Sequence, residues 1–185
     1  MARLQRVESL LLLIDVQEKL MPVIDRNAEV AANIERLIRG CHLLDTIPII
    51  VTEQYVKGLG PTIEPLRRTL EETAGYQPIE KSCFSAQGCG EFQAAMRNLK
   101  KKQIIVAGIE THVCVYQTVT DLLAAGYDVT IVADAMSSRS AENRELAIRR
   151  MAADGAHLSS TEMLLFELTV NSGTDEFRAI AKLVK

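Results

Sequence analysis

Short unbroken apolar runs alternate along the chain with longer stretches in which apolar residues recur every three or four positions. The runs at 10–16, 48–52 and 104–107 read as buried strands, with shorter ones at 78–80, 128–132 and 156–158. The helical spacing predicts helices over 28–45, 91–100, 112–125, 142–154, 161–168 and 174–184. Between 53 and 77, Gly58, Gly60, Pro61 and Pro65 read as a long loop. Strands without polar alternation, separated by helices, imply a parallel sheet covered on both faces. The expected fold is a three-layer α/β/α sandwich, with 1–185 as one domain.

The stretch 103–116, QIIVAGIETHVCVY, carries the most chemistry. Cys114 falls in the first turn of a helix that opens just past a strand. Unpaired N–H groups and the helix dipole there favour an anion, which predicts a lowered thiol pKa and a nucleophilic thiolate. Free cysteine is also among the most buried residue types, so core filling is the competing explanation. Asp15 closes the first strand and Lys81 follows the third. Open parallel sheets bind ligands beyond the carboxyl ends of their strands, so the three residues are expected to converge on one rim. Gln17, Gln54 and Tyr55, past strand ends, are candidate hydrogen-bond donors to a substrate, and Phe84 a candidate apolar wall. Loop packing explains these four equally well. Thr111 is placed to cap the helix of Cys114.

Hydrophobic residues at 48% and charged residues at 24% are ordinary for a globular chain. A net charge of −3 gives no reason to expect nucleic acid or an anionic membrane as partner. No apolar run reaches membrane-spanning length. The four cysteines, Cys41, Cys83, Cys89 and Cys114, have neither zinc-site nor CxxC spacing, and no secretory leader precedes the first strand. Free thiols in a reducing cytoplasm are the expectation.

Five segments give the chain a resemblance to the isochorismatase-like cysteine hydrolases: LLLIDVQEKL, TEQYVKGLGPT, EKSCFSA, GIETHVCVYQT and DLLAAGYDVTIVADAMSSRS. The match runs over essentially the whole length. It implies a doubly wound six-stranded sheet of order 3-2-1-4-5-6 and a catalytic aspartate, lysine and cysteine, falling here on Asp15, Lys81 and Cys114. It further implies a cis peptide between Ile109 and Glu110, which would aim backbone N–H groups into an oxyanion hole, and a homo-oligomer. Relatives that deaminate nicotinamide hold a metal through an aspartate and histidines near the second strand. This chain has TEQY there, so no metal or other cofactor is expected. Relatives that cleave isochorismate can lack the cysteine, so its presence here argues against that substrate.

The expected reaction is hydrolysis of an amide or related C–N bond of a small molecule through a thioester. An ordinary thiol, with a pKa of about 8.5, passes its proton to an ordinary aspartate only at a cost of about 6 kcal/mol. Either the aspartate must be raised or the thiol lowered. Two readings from other classes compete. One is a catalytically silent binding or scaffold protein on the same fold. The other is a redox-sensing thiol with Cys83 as its resolving partner.

Overall fold

The computed structural model describes residues 3–45 and 47–185. Strands β1 (Ser9–Ile14), β2 (Ile49–Gln54), β3 (Ile79–Lys81), β4 (Gln103–Ile109), β5 (Asp128–Ser137) and β6 (His157–Ser159) form one parallel sheet. Their order is β3-β2-β1-β4-β5-β6. The helices are α1 (Asn27–Leu43), α2 (Val56–Leu59), α3 (Glu64–Thr73), α4 (Gly90–Leu99), α5 (Tyr116–Ala124), α6 (Ala141–Ala153), α7 (Thr161–Thr169) and α8 (Asp175–Leu183).

Every residue of β1 and β4 is buried. Alternate side chains of one strand enter opposite cores. Leu11 and Leu13 pack with Ile34 and Leu37 of α1 and Leu164 and Leu165 of α7. Leu10, Leu12 and Ile14 pack with Phe92 of α4, Val119 of α5 and Met151 of α6. Burial on both faces is why these strands read as continuous apolar runs. Strand order reverses between β1 and β4, so their carboxyl ends flank the crevice where such sheets bind ligands.

Three local features depart from the sequence pattern. The expected loop at 53–77 contains α3, with Leu66 and Leu70 buried and Pro65 in its first turn. Proline needs no N–H there, so it starts this helix rather than excluding it. Strand β5 runs on to Ser137, past the polar Asp134 that ends its apolar run. The β4–β5 register shifts between Val106, opposite Ile131, and Gly108, opposite Met136. The helix expected from His112 begins instead with a π-helical turn, Thr111–Val115, and α5 starts at Tyr116.

Gly108 sets how close β1 and β4 approach at the rim. Its φ is +147°, and a Cβ there would lie 2.4 Å from the Ile14 carbonyl oxygen. Only glycine fits between the end of β1 and the turn that follows β4.

Candidate active site

Three strands end in a non-glycine residue with left-handed backbone: Asp15 after β1 (φ 55°), Tyr55 after β2 (φ 40°) and Glu110 after β4 (φ 53°). Each such residue costs about 1–2 kcal/mol against ordinary backbone, and strained positions of this kind gather at functional sites. Each turns the chain sharply as it leaves the sheet.

The structure brings Asp15, Lys81 and Cys114 together at that rim. Lys81 Nζ lies 2.6 Å from Asp15 Oδ2, with both side chains essentially inaccessible. The ammonium also donates to Gln54 Oε1 (2.8 Å) and to the carbonyl oxygens of Phe84 (3.1 Å) and Cys83 (3.3 Å). The other carboxylate oxygen, Asp15 Oδ1, accepts from the Thr52 hydroxyl at 2.7 Å. Ile14 and Thr52 are register partners in the parallel ladder, which places that hydroxyl beside the residue after Ile14. The Cys114 thiol lies close enough to Asp15 and Lys81 for both charges to act on it.

The electrostatics run against the expected lowering of the thiol pKa. Burial, first, and then the Asp15 charge push the Cys114 thiol from 9.0 up to about 12, while Lys81 pulls the other way and Glu110 adds to the rise. Cys114, in the π-turn, is only 6% exposed, so desolvation outweighs any benefit from the helix terminus. At neutral pH the thiol is protonated.

The remaining candidates divide. Gln17 is fully buried, donating from Nε2 to the carbonyls of Gln54 and Gly60 and accepting at Oε1 from the Gln54 N–H. Both amide hydrogens are used inside the protein, so Gln17 fastens the loop after β2 instead of meeting a substrate. Gln54 holds Lys81 with its oxygen and donates to the Ser82 carbonyl at 2.8 Å. Tyr55 and Phe84 are both more than half exposed. The Tyr55 N–H donates to the Lys81 carbonyl, and its ring lies against Gly58. Thr111 is no cap; its hydroxyl donates to the Ser137 carbonyl at the end of β5.

The peptide between Ile109 and Glu110 is trans, contrary to the expected cis bond. The left-handed Glu110 makes the turn instead, and its carbonyl accepts from the Val113 N–H at 2.8 Å. The Glu110 carboxylate pairs through Oε1 with Arg139 (2.5 Å). Its Oε2 is buried without a hydrogen bond, 3.3 Å from His112 Nδ1. Sequence reasoning passed over this side chain and Thr52. A polar residue closing an apolar strand, as in IIVT, was the available signal for the latter.

Fold and site together define a doubly wound α/β protein with a thiol, a carboxylate and an ammonium converging at the switch point of its sheet. The isochorismatase domain family matches residues 9–163, and the chain belongs to the isochorismatase-like hydrolases. It is similar to isochorismatase domain-containing protein 2 of Danio rerio, 39% identical over 183 residues that cover 98% of this chain and 89% of that protein. The structure of MAR1 ribonuclease from Caenorhabditis elegans superposes with a TM-score of 0.90 at 38% identity, covering 99% of this chain and 92% of that one. The YcaC gene product of Escherichia coli, an octameric hydrolase of unknown specificity, gives a TM-score of 0.89 at 26% identity, with coverages of 99% and 89%.

Proposed function

We propose that the protein hydrolyses an amide or related C–N bond of a small molecule, with Cys114 as nucleophile, Asp15 as proton acceptor and Lys81 as the fixed cation. The observation that carries this reading is the convergence of the Cys114 thiol on the buried Asp15–Lys81 ion pair, whose two charges both act on it.

With a thiol pushed up to about 12, a stored thiolate is not the reacting species. The proton passes to Asp15 as the sulfur–carbon bond forms, and the negative charge moves onto the carbonyl oxygen. Asp15 then delivers that proton to the departing nitrogen as the C–N bond breaks, leaving a thioester and free amine. Water, deprotonated by Asp15, hydrolyses the thioester to carboxylic acid and restores the thiol. Lys81, held by four acceptors, keeps the carboxylate oriented through both halves. The exposed faces of Tyr55 and Phe84 form the walls met by the substrate.

A redox-sensing role needs an exposed, low-pKa thiol, and Cys114 is neither. The ribonuclease relative raises a different reaction. Here the cation of the site is committed to internal acceptors and the chain carries a net charge of −3, which favours a small neutral amide over a polyanion. The octameric relative supports a homo-oligomer for this chain.

Hydrolysis of a panel of small aliphatic and aromatic amides tests the reading, with Cys114→Ser and Asp15→Asn as controls of matched circular dichroism. Each substitution is expected to lower kcat/KM by at least about 10³-fold. Amide hydrolysis that survives in Cys114→Ser, or cleavage of an oligoribonucleotide that needs Asp15 but not Cys114, would overturn it.

A further inference from the structure

The loop between Lys81 and α4 is fastened twice to the helix that follows the nucleophile. Thr118, fully buried on α5, donates from its hydroxyl to the Cys114 carbonyl at 2.7 Å and accepts from the Ala86 N–H at 3.0 Å. Nearly a turn further along, Asp121 accepts from the Ser85 hydroxyl at 2.6 Å. The same loop supplies the Cys83 and Phe84 carbonyls that take hydrogen bonds from the Lys81 ammonium. The turn bearing the thiol and the segment gripping the cation are therefore joined through one hydroxyl.

We propose that Thr118, backed by the Ser85–Asp121 bond, is a positioning residue that fixes the Lys81 ammonium relative to the Cys114–Asp15 pair. The inference rests on the reading of Cys114 as nucleophile. An ammonium has three hydrogens and here meets four acceptors: Asp15 and Gln54 from their side chains, and two carbonyls from the loop. If the loop loosens, the ammonium loses its two carbonyl partners and with them its fixed distance from the sulfur. A threonine bonding back to the carbonyl four residues earlier is common in helices and by itself needs no function. Thr120 does this on the same helix, to Tyr116 at 2.9 Å. What sets Thr118 apart is the second bond, to Ala86, and Thr120 serves as its internal control.

The test is the rate of Cys114 alkylation by iodoacetamide at pH 9, located by peptide mapping, in the full chain. Thr118→Val is expected to slow alkylation about threefold, the effect of a half-unit rise in thiol pKa. Thr118→Ser should restore the wild-type rate, and Thr120→Val should leave it unchanged. In a Lys81→Met background, itself slowed, Thr118→Val should add nothing, because its effect passes through the ammonium. Ser85→Ala provides the same comparison should Thr118→Val not fold. Equal slowing by Thr118→Val with and without Lys81, or failure of Thr118→Ser to restore the rate, would overturn the proposal while leaving the nucleophile reading in place. Alkylation indifferent to Lys81→Met would remove both.

Discussion

Asp15 interacts with groups from three separate parts of the sheet's rim. Thr52 comes from β2, Lys81 from β3 and Cys114 from the turn after β4. Breaking a buried ion pair by removing one partner leaves a desolvated charge and costs roughly 3–5 kcal/mol. Lys81→Met is accordingly expected to lower unfolding free energy by about that amount in urea titrations, and Asp15→Asn in the same background to restore much of it. A second expectation concerns pH. Burial raises both Cys41 and Cys114 from 9.0 to about 12 in the folded protein. Unfolded thiols ionise first, so between pH 9 and 12 the folded state binds more protons and stability falls as pH rises. Stability is full below pH 9 on this account, and Cys41→Ala should flatten the decline without touching the site. Removing the Glu110 charge, which adds to the rise at Cys114, should move that thiol's alkylation profile to lower pH in Glu110→Gln.

Among the elements, the end of β4 and its turn carry the most consequence. Gly108 lets β4 lie against Ile14, and the left-handed Glu110 then starts the π-turn that presents Cys114. Gly108→Ala would drive a methyl into backbone and is expected to cost on the order of 1–3 kcal/mol, measured by chemical denaturation. Most elements were legible in the sequence because burial on both faces leaves unbroken apolar runs, as in LLLLI and IIVA. Helix α3 was hidden by Pro65, whose position at a helix start cannot be told from a loop proline without seeing the helix. The end of β5 was hidden by Asp134, which takes the Thr161 N–H and hydroxyl onto its carboxylate inside the fold. The convergence of Asp15, Lys81 and Cys114 on one rim was legible from strand ends. The fastening roles of Gln17 and Thr118 were not, because Gln54, Gly60 and Ala86, to which they bond, lie 32 to 43 residues away and are brought close only by packing. The sign of the thiol shift was missed for a related reason: helix termini are visible in a sequence, but desolvation is not.

Across the whole molecule, two cores sandwich one sheet, and the candidate chemistry sits where they meet the carboxyl edge. No helix among the described residues is long and apolar enough to cross a membrane. Leu146 on α6, Leu158 on β6 and Met163 and Val170 on or just past α7 are large apolar residues left mostly exposed. Burial between subunits would account for them, and light scattering is expected to give a mass several times 20.4 kDa. A monomer at micromolar concentration would contradict this.

The central claim is a covalent thioester on Cys114, and intact-mass spectrometry of acid-quenched reactions with the amide panel tests it most directly. The expected result is an adduct of acyl mass that maps to Cys114, is absent from Cys114→Ser and disappears as carboxylic acid is released. Hydrolysis that proceeds with no adduct at any quench time, and equally well in Cys114→Ser, would contradict it.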